Sequence, residues 1–492
     1  MAGRARFRGL FAVCMASSMV TLATCTDEKI VFKDRDLFTP VPPAANGFIG
    51  YTDTTAKLVV CGNCHVSFQD RWETTAHAGA WKTLQQSGSA QALCENCHSV
   101  NQRGNVATTA GGYETVKDAR YHDVQCESCH GPGLAHLQDP DATQPLAPVA
   151  VDTGLTRGCG ECHNGAHHGF VNEWRKSAHA TVVTSAAGNA SCVQCHRGQG
   201  ILAAWNVKSD YLEKTSPEHL AITCAVCHDP HEKEFEGQLR FPVNTPRIEE
   251  HLCARCHNRR TNPDPTSSHG LEPHAPESAL LVGDAGWFVP GSSINQGEIL
   301  GTHGSERNPK LCATCHVVRM TVTDKLTGKF VFQSTGHLFT AMPCLDAQGV
   351  PQPGDCTVSP TTRAFQGCTA SGCHGSATAA YSALTATTAR LKSYADQLEA
   401  LLRKVDPNLE GAGGEIDPTK PTFTVAEGAL FNLLLARHGS THAESQYLYA
   451  AAATHNPFLM ESLLLASINE VQRTYNVTAT TAKPQRLSFV HD

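Results

Sequence analysis

Apolar positions keep their clearest helical rhythm in the last quarter of the chain. Leu391, Tyr394, Leu398, Leu401 and Val405 advance by alternating threes and fours, which predicts a long amphipathic helix starting near Ala377. Thr424-Val-Ala-Glu427 has the spacing of a capping box and opens a second helix running through Leu435. His455-Asn456-Pro457 reads as a helix start, with Asn as N-cap and Pro in the first position; Leu464, Ile468, Val471 and Tyr475 then share one face. These helices predict an antiparallel bundle over 376–492. At the other end, Arg4, Arg6 and Arg8 precede a largely apolar stretch from Gly9 to Thr24, the pattern of a secretory signal over 1–24. No later apolar run reaches the ~18 residues a spanning helix needs. The Pro-rich stretches Asp139–Pro148 and Asn262–Pro276 read as surface connections.

Composition changes the picture for the middle of the chain. Among 492 residues there are 22 Cys and 26 His, whereas charged residues are only 17% and the net charge of −7 offers no basic face to nucleic acid. The cysteines are spaced as Cys61-x-x-Cys64-His65, Cys94-x-x-Cys97-His98, Cys126-x-x-Cys129-His130 and Cys159-x-x-Cys162-His163. Then come Cys192-x-x-Cys195-His196, Cys224-x-x-Cys227-His228, Cys253-x-x-Cys256-His257 and Cys312-x-x-Cys315-His316. This is the attachment signature of haem c: two thiols add to the two vinyl groups of one porphyrin, and the next residue offers its imidazole to the iron. Zinc or a redox dithiol would explain a pair of cysteines but not a His after every second one. Cys368 and Cys373-His374 form a ninth site with four residues between the cysteines, the alternative being a local disulfide beside an incidental His. The expectation is nine haems c in a mainly α fold with much irregular chain, a haem-packed core and the C-terminal helical bundle.

Four cysteines remain. Cys14 leaves with the signal. Cys344 and Cys356 are a candidate disulfide across a Pro/Gly-rich loop, as an oxidising compartment permits. Cys25 ends Leu-Ala-x-Cys and is a candidate for lipidation; Thr24 is unusual just before such a cut, and an ordinary cleaved signal is the alternative. The motifs also repeat. Cys61, Cys94 and Cys126 recur 98 residues later as Cys159, Cys192 and Cys224, and Trp72-Glu-Thr-Thr-Ala-His77 recurs as Trp174-Arg-Lys-Ser-Ala-His179. Residues 25–60 are then an N-terminal extension, 61–158 a three-haem module, 159–252 its repeat and 253–375 a more widely spaced third unit.

The motif histidines are the expected proximal ligands. Whether a second ligand closes each iron separates an electron carrier from a catalyst. Met is scarce beyond the signal, so bis-His ligation is the default, with distal ligands drawn from the other histidines. His77, His136, His179 and His231 lead, followed by His122, His219, His251, His274, His303 and His337, then His167, His168 and His269. For His438, His442 and His455, capping or surface roles are preferred.

Asp123-Val-Gln-Cys-Glu-Ser-Cys-His-Gly-Pro-Gly133 with His136, the two Trp-x-x-Ser/Thr-Ala-His elements and Cys227-His-Asp-Pro-His231 resemble the multihaem cytochromes c of nitrogen-cycle and metal-reducing bacteria. That group includes tetrahaem electron acceptors, octahaem oxidoreductases and outer-membrane cytochromes. The resemblance spans roughly residues 60 to 375 and implies haems stacked closely enough for tunnelling, distal histidines from neighbouring motifs, and C-terminal helices that pack or dimerise subunits. Nine motifs depart from its tetra- and octahaem members. The expected function is electron transfer in the periplasm or at the outer membrane or cell surface of a Gram-negative bacterium. Redox proteins or an outer-membrane conduit would be its partners, and membrane contact would come only through a lipid on Cys25. A multihaem oxidoreductase with one open haem, acting on a small nitrogen or sulfur compound, is the second reading; no motif ends in Lys, the usual sign of a nitrite-reducing haem.

Overall fold

The computed structural model describes residues 44–151, 158–165, 167–267, 269–369, 374–409, 414–417, 423–438 and 448–478. Cys14, Cys25, Cys373 and His442 lie outside them. Residues 42–492 form one compact unit. It is mainly helical, with much irregular chain and three short antiparallel hairpins: β1 (Tyr51–Asp53) with β2 (Leu58–Val59), β3 (Met320–Thr323) with β4 (Phe330–Ser334), and β5 (Cys344–Leu345) with β6 (Pro351–Gln352). Cys344 and Cys356 are disulfide-bonded, with Cα atoms 6.1 Å apart.

Helices between 61 and 374 are short. They include α1 (Val66–Trp72), α2 (Cys126–His130), α3 (Phe170–Trp174), α4 (Glu277–Val282) and α5 (Cys312–His316). Apolar packing here is local: Tyr51, Val59, Trp72 and Ala78 make one small cluster, and Val151, Val171, Trp174 and Ala221 make its counterpart in the repeat.

The C-terminal part is built differently. Helix α6 (Ala377–Val405) starts where the Ser376 side chain accepts the Ala379 N–H, and it buries Leu391, Tyr394, Leu398 and Leu401 along one stripe. Helix α7 (Val425–Arg437) opens on the Thr424/Glu427 capping box. After α8 (Ala450–His455), Asn456 caps α9 (Pro457–Tyr475) by accepting the Leu459 N–H. The same Asn456 donates its amide to the carbonyls of Leu280 (3.0 Å) and Ile299 (2.7 Å), outside the bundle. Asn432 exchanges hydrogen bonds with the Trp287 backbone at 2.7 and 2.8 Å, and a Cβ at Gly428 would run into the Trp287 indole. These contacts seat the bundle on residues 277–301. Among the described residues, no helix is long and apolar enough to cross a membrane.

Candidate functional site

The repeated Trp element has a structural reason. Trp72 Nε1–H donates to the Val124 carbonyl at 3.0 Å, and Trp174 Nε1–H donates to the Ile222 carbonyl at 2.8 Å. Each acceptor stands two residues before the first cysteine of its module's third motif. The N–H of Val124 in turn reaches the His77 carbonyl (3.1 Å), and that of Ile222 the His179 carbonyl (3.0 Å). Thr75 and Ser177 close the turn by donating their hydroxyls to the Trp72 and Trp174 carbonyls at 2.7 and 2.8 Å, which explains the Ser/Thr at that position. The element therefore clips one histidine to the third motif of its module.

Eight of the nine motif histidines face a second imidazole. Ring centres are 6.4 Å apart for His65–His136, 6.2 Å for His163–His77, 6.2 Å for His130–His231 and 6.3 Å for His257–His179. They are 5.7 Å for His196–His274, 6.3 Å for His228–His337, 6.2 Å for His374–His303 and 6.3 Å for His316–His455. An iron bound by both rings, with metal–nitrogen bonds of about 2.0 Å and ring centres about 1.1 Å beyond, needs a separation of about 6.3 Å. Ring contacts of other kinds span about 4.5–7 Å, so it is the recurrence of this separation at eight motif histidines that fits an intervening iron.

The other ring nitrogen is also spoken for. Nδ1 of His98, His130, His228 and His316 contacts the carbonyls of Ala80, Pro145, Gly237 and Phe339 at 2.8, 2.6, 2.6 and 2.9 Å. On the distal side, His136 and His303 reach the carbonyls of Thr143 and Thr454 at 2.6 and 2.7 Å. A carbonyl only accepts, so Nδ1 carries the proton and Nε2 keeps its lone pair for iron. Burial, reinforced by neighbouring imidazoles, pushes His163, His179, His337 and His455 down to about 4, which keeps these rings neutral and able to ligate.

Cysteines of different motifs also meet. The first cysteines of motifs one and three, Cys61 and Cys126, are neighbours, as are those of motifs four and six, Cys159 and Cys224. The first cysteines of motifs seven and eight, Cys253 and Cys312, repeat the arrangement. Second cysteines of motifs two and four, Cys97 and Cys162, match those of motifs five and seven, Cys195 and Cys256. The eighth motif thus takes the place of a third motif, and the third unit has no counterpart of motifs two and five. The distal ligands follow the same repeat: His77 and His179 each face the first motif of the next module, and His231 and His337 each face the third motif of the one before.

Of the distal candidates, His77, His136, His179, His231, His274, His303 and His337 are therefore set opposite a motif histidine, and three are not. His122 lies flat on Trp81, with ring centres 3.8 Å apart. His251 has both nitrogens engaged, Nδ1 accepting the Cys253 N–H at 3.2 Å and Nε2 donating to the Lys310 carbonyl at 3.3 Å. It lies with Cys253 and Cys312 at metal-ligand spacing, but both of those cysteines are the first of a C-x-x-C-H motif. His219 faces no imidazole among the described residues. His167 stacks on Phe330, and His269 sits beside Glu272 at the surface. His455, for which capping or surface roles are the sequence expectation, instead lies with its ring centre 6.3 Å from that of His316, just before the Asn-Pro helix start. His98 is the exception among the motifs, since no imidazole among the described residues faces it; His168 lies close enough to act on it electrostatically and stands edge-on to His163 at 6.5 Å.

Residues 60–131 match the family described as cytochrome c554 and c-prime. A solved structure, that of outer cell wall cytochrome OcwA, is similar at 16% identity and a TM-score of 0.47, over 79% of this chain and 78% of that one. No curated protein matches the chain. The match covers the first module, and the C-x-x-C-H motifs repeated as far as His316 carry the haem c attachment signature beyond it, so the chain is similar to multihaem c-type cytochromes.

Proposed function

We propose that this chain is an exported nine-haem electron carrier of the periplasm, outer membrane or cell surface, in which eight irons are held between two histidines. The observation that carries the reading is the set of eight imidazole pairs at iron-spanning distance. Bound haem supplies a one-electron couple. Two imidazoles per iron close both axial positions, exclude water and small molecules, and favour low potentials. The Nδ1 hydrogen bonds hold the rings through a change of oxidation state.

Adjacency of the cysteines orders the sites. Motifs one and three, four and six, and seven and eight touch, while Cys129 neighbours Cys159 and Cys227 neighbours Cys253. His455 neighbours both His316 and His303, joining the eighth site to the ninth. The route is then one, three, four, six, seven, eight, nine, with site two beside four and site five beside seven. Donors and acceptors are redox proteins or an outer-membrane conduit meeting the ends of this route, and Cys25 is the point of lipid attachment where the chain is anchored.

Pyridine haemochrome titration and intact mass of the exported protein test the count. Nine haems per chain are expected, and eight after C368A/C373A; a native count of eight removes the ninth site. The mass of the mature N-terminus separates a lipidated Cys25 from a plain cleaved end. A second reading has one observation in its favour: His98 has no facing imidazole, so site two is where an open haem would take a small nitrogen or sulfur ligand. Nitrite or hydroxylamine that perturbs a high-spin signal, absent from C94A/C97A, would establish it.

A further inference from the structure

Among the motif histidines, His257 has a different neighbour. Where the ring partner of another motif histidine is a hydrogen-bond acceptor, it is a neutral backbone carbonyl. His257 instead presents Nδ1 to Glu277, with Oε2 3.4 Å away. That oxygen is buried and has no hydrogen-bond donor of its own. The other oxygen, Oε1, lies 3.2 Å from Nε2 of His438, at the end of α7. The position is enforced by the backbone, because Ser278 donates both its N–H and its hydroxyl to the His257 carbonyl. The first turn of α4 therefore grips His257 by its main chain and sets a carboxylate against its ring.

Asp229 is a useful contrast. It lies 3.1 Å from Nδ1 of the distal histidine His231, but Arg240 pairs with its other oxygen at 2.9 Å and offsets its charge. Glu277 has no such guanidinium.

We propose that Glu277 is a positioning residue that gives His257 anionic character and makes the haem on Cys253 and Cys256 the last of the nine to be reduced. A carboxylate accepting from the Nδ1–H of a ligating histidine raises the basicity of Nε2 and stabilises ferric over ferrous iron. The location gives this a consequence. Cys253 touches Cys312, Cys256 touches Cys195, and Cys227 neighbours both, so site seven is where the routes from five, six and eight meet. A node reduced last lets the arms fill before electrons settle on it.

This inference rests on the haem-carrier reading, and its test separates the two. The full-length, haem-loaded protein is titrated potentiometrically with optical and EPR detection, alongside E277Q, H438Q and D229N. E277Q is expected to shift one midpoint of nine to more positive potential by roughly tenfold in the reduction constant, about 59 mV for one electron. The same variant should alter the g-values of one low-spin signal. H438Q, which leaves the carboxylate to His257 alone, should move that midpoint the opposite way, and D229N should have the smaller effect. Titration curves of E277Q and H438Q that superimpose on the parent would overturn the proposal. Peptide mass spectrometry across Cys253–His257 is the separate check: a missing haem there defeats the nine-haem reading, whereas a present haem without a shift defeats only the role of Glu277.

Discussion

The C-terminal bundle and the motif-bearing region hold themselves together by different means. Thirty buried apolar residues form one continuous cluster, drawn from α6 to α9 and from Leu271–Val289, whereas the four clusters between Phe48 and Val226 contain four buried residues each. A cluster of four side chains cannot offset the conformational entropy of some hundred ordered residues, at about 1–2 kcal/mol each for the backbone alone. On the proposed reading, porphyrins at the motifs would supply the missing apolar surface, and histidines and thioethers the cross-links. The bundle carries its own stripe and caps and completes its core with apolar side chains from Leu271–Val289.

The widest separation between the two regions comes from withholding the cofactor. Chain made without haem attachment should protect backbone amides from exchange in α6, α7 and α9 and lose protection in α1, α2 and α3; even protection throughout would erase the distinction. Removing a ligand that crosses between the regions comes next. His455→Ala takes the bundle's imidazole from His316, so one low-spin iron should become high-spin in EPR while haem content stays the same. His337→Ala should give a similar spectrum without touching the bundle. Leu398→Ala does the reverse: it should cost the bundle about 2–5 kcal/mol in denaturant unfolding and leave every spin state unchanged. The smallest effect is within the motif region. Trp72→Phe and Trp174→Phe each delete one indole hydrogen bond and should cost about 1 kcal/mol apiece, equal within error because the two elements are repeats.

What could be read beforehand follows the same division. The bundle was legible because helix formation is local: Thr424 and Asn456 cap over three residues, and the Leu391–Leu401 stripe repeats with the turn. The attachment cysteines were legible because porphyrin chemistry demands a short fixed spacing. Pairing of imidazoles was not. His136 serves His65 two motifs earlier, and His455 serves His316 from another part of the fold, so no local pattern encodes either match. His77 and His179 could be singled out from their repeated Trp element, yet their partners, His163 and His257, belong to the following module. The order of the motifs is plain in the sequence, whereas the closeness of Cys253 and Cys312, far apart along the chain, is not.

A quantitative spin census of the oxidised, fully loaded protein by EPR, with near-infrared magnetic circular dichroism to identify the axial ligands, tests the central claim most directly. Eight imidazole pairs predict at least eight low-spin bis-His irons in nine, with any high-spin iron abolished by C94A/C97A. High-spin iron in two or more sites, or one that survives loss of the His98 motif, would contradict the account.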